Sequence, residues 1–265
     1  METGFLAAAT GFYLIGFATT LFALGGGKFQ PGRFNVLTMA LGFACQTGFL
    51  WIRGQQNHSC PINSLFEVLI FLTWSMVGLY LVFGPAFRLS LLGAFTAIFV
   101  FVLQVVAIVA PLQRGPHPRS VLNPWLELHA ALSIVAYGAF GMAAVAGVMY
   151  LVQEFQLKSR HPAAIFYHLP PISTLHHANE RLVGLGVVVL TIGLLAGLMV
   201  GSPTNFWKWA VSLVVLVLYG GILTLQAIRR ITPKRVAAAS VGVFSFALIT
   251  LPAIQWLSVQ HGSTR

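Results

Sequence analysis

Aspartate is absent from this chain of 265 residues, and its five acids are all glutamates: Glu2, Glu67, Glu127, Glu154 and Glu180. Charged residues of both signs make up only 8% of the sequence, against roughly 25% in an ordinary soluble domain. A water-facing surface cannot be built from so few charges. Cysteine is equally scarce. Cys45 and Cys60 are too far apart for a CxxC motif, and the absence of CxxCH excludes a c-type cytochrome. GxSxG, P-loop and HExxH patterns are also missing, so hydrolase and NTPase readings have no support. There is no internal repeat and no low-complexity tract.

What the chain has instead is apolar length. Hydrophobic residues make up 57% of it, and they gather into runs near the ~20 residues that cross a bilayer as a helix. The runs are continuous, without the polar–apolar alternation of an outer-membrane barrel strand. The expected fold is an all-α polytopic membrane bundle of about eight transmembrane helices, forming a single domain over residues 1–265. The spans fall at roughly 3–25, 34–54, 65–84, 89–110, 124–156, 180–201, 206–228 and 236–257. Turn-forming segments separate them, among them "GGGKFQPGR", "QRGPHPRSVLNP" and the long "KSRHPAAIFYHLPPISTLHHANER". The first run lacks a basic n-region and a small-residue cleavage site, so it reads as a retained helix.

The net charge of +10 reads as a topology signal, not a nucleic-acid one. Of the 15 Lys and Arg residues, Lys28, Arg33, Arg88, Lys158, Arg160, Arg181, Arg229, Arg230, Lys234 and Arg235 fall on one side, and Arg53, Arg114, Arg119, Lys208 and Arg265 on the other. The richer side is expected to be cytoplasmic, with both termini outside. The fifth span outlasts the bilayer, and Glu154 and Lys158 on it can pair one turn apart. Gly193, Gly197 and Gly201 repeat every four residues in the sixth span, a spacing that lets a second helix approach closely.

On the outer side, His129 stands one turn into the fifth span and His261 follows the eighth. Trp207 and Trp209 lie in "NFWKW", between the sixth and seventh. Two neutral imidazoles suit both axial positions of a haem iron. Indoles supply flat apolar faces, and Lys208, Arg114 and Arg119 could neutralise propionates. The alternative stays open at this level, because tryptophans gather at membrane interfaces regardless and an interfacial histidine can simply be hydrated. His176 and Glu180 of "HHANE" have metal-ligand spacing but no second cluster near them. Glu67 is either a functional ionisable group at membrane depth or a stabiliser of its helix N-terminus.

Three stretches resemble the cytochrome c assembly protein family: "LELHAALSIVAYGAFGMAAVAGVMYLVQEFQLK", "LPPISTLHHANERLVGLGVVVLTIGLLAGLMVGS" and "WKWAVSLVVLVLYGGILTLQ". "CPINSLFEVLIFLTW" resembles the family's outer loop and third span. The family includes CcsA/ResC-type synthetase subunits, CcmC-type haem transporters and the smaller HemX and YpjD proteins. The resemblance implies that His129 and His261 ligate iron and that Trp207 and Trp209 stand where the family has its tryptophan-rich loop. Here that loop is cut to "SPTNFWKWA", and an intramembrane histidine of some relatives is replaced near Thr224, so in size and reduced loop the chain most resembles the HemX/YpjD branch. The implied function is membrane handling of non-covalent haem b in cytochrome c-type biogenesis, in the bacterial cytoplasmic membrane. The chain would not be an enzyme alone but a subunit of a cytochrome c haem lyase or synthetase. Its partners would be membrane lipid, a synthesis partner subunit and apocytochrome c, with no nucleic acid. The alternative is a non-enzymatic regulatory or scaffold protein of the HemX type, serving tetrapyrrole synthesis through the loop at residues 157–180.

Overall fold

The structure is a computed structural model. It describes residues 2–25, 33–86, 90–110, 112, 115, 123–158, 170–200 and 206–262, with side chains described for all of these except 20–21, 23–25, 33, 85–86, 90–91, 206–209 and 253–262. Eight helices follow in order: α1 (Glu2–Gly25), α2 (Arg33–Asn57), α3 (Leu65–Ala86), α4 (Ser90–Val109), α5 (Pro124–Lys158), α6 (Ile172–Leu198), α7 (Phe206–Ala227) and α8 (Pro233–Gly262). No strand occurs among the described residues. Among the described residues, seven helices, α2 to α8, are long and apolar enough to cross a membrane, and the chain is a multi-pass membrane protein.

Three helices start where the local chemistry favours it. Ser64 and Glu67 form an S-x-x-E start for α3, with the Glu67 amide donating to Ser64 Oγ at 3.2 Å. Asn123 Oδ1 accepts from the amides of Trp125 and Leu126 at the head of α5. Pro233 opens α8 at the first helical position, where a missing N–H costs nothing.

Two boundaries differ from the sequence expectation. The sixth helix begins at Ile172, not near residue 180, because Pro171 holds an extended backbone (φ −52°, ψ 139°) from which a helix can start. His176, His177 and Glu180 therefore sit on α6, and residues 172–180 of the expected loop at 157–180 are helix, while 159–169 lie outside the described residues. The eighth helix runs on to Gly262, past an internal Pro252, so His261 lies in its last turn and not beyond its end.

The helices pack as α1–α4 and α5–α8, with α5 touching both groups through α3, α4, α6 and α8. Its middle, from Ser133 to Val145, is buried with Val135 the one partial exception. A helix enclosed on all sides needs small residues where neighbours come close. A methyl on Gly141 would lie 2.8 Å from Phe244 of α8 and 2.9 Å from Met76 of α3, and one on Gly147 would lie 2.9 Å from the Ala237 carbonyl. Across the α5–α7 contact, the Phe140 and Tyr219 rings stack at 3.8 Å.

Candidate functional site

By connectivity, the end of the bundle expected to face outward gathers the start of α5, the end of α6, the start of α7 and the end of α8. His129 sits in the second turn of α5, half-buried against α6. Its Nδ1 lies 2.7 Å from the Gly193 carbonyl oxygen. A carbonyl only accepts, so Nδ1 carries the proton, and in the neutral ring Nε2 holds the lone pair. Among the described residues Nε2 has no partner. Gly197 lies beneath the ring, since a methyl there would stand 2.8 Å from Nδ1. One turn further in, Ser133 Oγ donates to the His129 carbonyl at 2.7 Å. Gly193 and Gly197 of the glycine repeat thus sit at a close helix contact, and the group packed against them includes the imidazole, while Gly201 lies outside the described residues.

Trp207 and Trp209 lie in the first turn of α7 and His261 in the last turn of α8, at the same end of the bundle. Their side chains, like that of Lys208, and the whole of Arg114 and Arg119, lie outside the described residues. The α5–α8 packing sets a register: Gly141 faces Phe244, and Gly147 faces Val241. Carried along the antiparallel pair at ~1.5 Å per residue, the two contacts put His261 about 3–8 Å further toward the outer end than His129.

One residue missed in the sequence is Trp125, 49% exposed and four positions before His129, hence on the same helical face. The W-x-x-x-H spacing at the head of the span was the available signal. A second omission is Arg53, whose side chain is 3% exposed. Its Nε and terminal nitrogen donate to Glu2 at 3.1 and 2.9 Å, and it lies 3.7 Å from Glu67. Glu67 also accepts from Asn57 Nδ2 at 2.9 Å and from the Asn63 amide at 2.8 Å. The Phe49 and Phe66 rings flank the guanidinium at 5.3 and 6.0 Å. Every oxygen of Glu67 is thus engaged, and its role is to anchor α3 to α1 and α2.

The other candidates separate. His176 Nε2 faces Gln226 Nε2 at 3.5 Å, while Glu180 approaches His177 at 3.7 Å, so the i, i+4 pair does not converge. No group of three or more His, Cys, Asp or Glu could hold a metal ion among the described residues. Cys45 and Cys60 are both half-buried, and no disulfide joins them. The Cys60 amide points to Glu127 Oε2 at 3.4 Å, tying the α2–α3 turn to the head of α5.

The profile of the family described as "Cytochrome C assembly protein" matches residues 62–261. The protein named HemX of Brevibacillus brevis is 32% identical over 60% of this chain and 59% of its own length. HemX of Bacillus subtilis (strain 168) is 26% identical over 80% of this chain and 79% of its own. The cytochrome c biogenesis protein CcsA of Chlamydomonas reinhardtii is 25% identical over 60% of this chain, which spans only 47% of that relative.

Proposed function

The chain belongs to the cytochrome c assembly protein family, and from that premise we propose that it handles haem in cytochrome c-type biogenesis, holding haem b non-covalently at the outer end of α5–α8. In this reading His129 and His261 are the axial ligands, and Trp207 and Trp209 offer apolar faces to the porphyrin. The bacterial cytoplasmic membrane is the site of action. Haem is the cargo: its iron takes the imidazoles, and the loaded porphyrin is passed to a synthesis partner subunit and on to apocytochrome c. The chain itself contributes grip and orientation, while bond formation to the apocytochrome belongs to the partner.

The observation that carries this reading is the hydrogen bond from His129 to Gly193. Iron-ligating histidines characteristically donate their second ring N–H to a carbonyl or carboxylate, which fixes the tautomer and the ring plane. His129 has that arrangement and an unengaged Nε2. A register with His261 about 3–8 Å along the axis from His129 is compatible with one shared porphyrin.

The test is purification with haemin added, followed by absorbance. The expected result is a low-spin Soret band near one haem per chain, replaced by a weaker, high-spin band in His129→Ala and in His261→Ala. Protein that stays colourless with added haemin, or that keeps its full band in both variants, would overturn the proposal.

A second reading is favoured by the two relatives named HemX. It makes the chain a non-enzymatic membrane scaffold for tetrapyrrole synthesis. Partners captured from membranes would then vanish on deleting residues 159–169 and persist in His129→Ala.

A further inference from the structure

We infer that Gly193 and Gly197 of α6 are positioning residues for His129, so that the neighbouring helix, and not α5 itself, decides which imidazole nitrogen is offered and where the ring lies. The inference rests on the haem-holding reading and goes one step deeper, to how the ligand is set.

Three contacts carry it. The Gly193 carbonyl takes the Nδ1 proton at 2.7 Å. The surface at Gly197 is flush with the ring, for a methyl there would lie 2.8 Å from Nδ1 and 3.2 Å from both Cε1 and Cγ. Gly193 also brings α6 close enough for that hydrogen bond, because a methyl on it would lie 3.2 Å from Leu132 Cβ and 3.4 Å from the Ser133 amide. A stripe of glycines whose only task was helix packing would need neither an aligned carbonyl nor a ring lying on it. A carbonyl partner also makes the imidazole a stronger electron donor, which favours ferric iron. Any shift of α6 along α5 would be felt first at this nitrogen.

The experiment is chemical rescue in the intact protein. His129→Gly leaves a cavity against Gly193 and Gly197, into which imidazole, 4-methylimidazole or 1-methylimidazole can be titrated with haemin present. All three can bind iron, but 1-methylimidazole has no N–H to give to Gly193. The expected result is return of the low-spin Soret band at concentrations about fivefold to tenfold lower for imidazole and 4-methylimidazole. That ratio is taken relative to the same ligands on haemin in detergent alone. 4-Methylimidazole controls for the bulk of the methyl group.

In parallel, Gly197→Ala in the otherwise native chain should weaken haem retention and raise the midpoint potential of what remains. Gly184→Ala, on the same helix with nothing within 4 Å of the new methyl, should change neither. Equal rescue by all three ligands, or an unaltered spectrum and potential in Gly197→Ala, would overturn the positioning role while leaving His129 as a ligand. Wild-type protein that takes up no haem would overturn the haem-holding reading and this inference together.

Discussion

At the outer end of α1–α4 a guanidinium is shut between two carboxylates, with Asn57 and Asn63 completing the shell of Glu67. At the outer end of α5–α8 the seam between α5 and α6 holds a half-buried imidazole with one nitrogen engaged and, among the described residues, one not. In the first cluster every carboxylate oxygen of Glu2 and Glu67 is engaged, so these carboxylates hold helices together. The second is half-satisfied, and an unspent lone pair is what binding needs. Deeper in, the contrast continues. The first group buries Gln46 between Tyr13, Thr73 and the Ile70 carbonyl. The second relies on Asn179, which spans the Ala143 carbonyl of α5 and Ser240 of α8. Arg53, Glu67 and Gln46 of α1–α4 are architectural, as Asn179 is in α5–α8, whereas the proposed function gives His129 a ligand's role.

The largest effect should come from breaking the first cluster. Arg53→Met leaves Glu67 buried without its cation and is expected to cost about 3–5 kcal/mol, read from unfolding in detergent. The fraction that stays folded should take up haem as the wild type does. Loss of haem from that folded fraction would show that the first half is more than a scaffold.

Asn179→Leu tests the deeper layer of the second half. It orphans the Ser240 hydroxyl, and a loss of about 1–3 kcal/mol is expected by the same unfolding assay. The smallest effect belongs to Cys60→Ser. The bond to Glu127 uses the backbone amide, so stability should hold within about 0.5 kcal/mol and haem absorbance should not move. A clear haem defect in that variant would move the site toward the α2–α3 turn.

Most of the fold was readable from composition and spacing. The apolar runs gave eight helices because a bilayer leaves a chain few other ways to satisfy its backbone. The misplaced start of α6 had a local cause, since Pro170 and Pro171 read as a break when Pro171 in fact precedes the first turn. His129 was legible because an imidazole at the head of an apolar run stands out. Its partner was not, because a backbone carbonyl leaves no trace in sequence, and Gly193 and Gly197 spell the same letters whether they face a helix or a ring. Arg53 escaped notice for a related reason: it counted as a surface charge, and only the folded chain brings Glu2 and Glu67 to it across 51 and 14 positions of sequence.

The account turns on two imidazoles of α5 and α8 sharing one iron. Electron paramagnetic resonance of the ferric, haem-loaded protein reads this directly. The expected spectrum is low-spin with two axial nitrogens in the wild type, turning high-spin when either His129 or His261 is replaced by alanine. A low-spin signal that survives both replacements unchanged, or a wild-type spectrum that is high-spin from the outset, would contradict it.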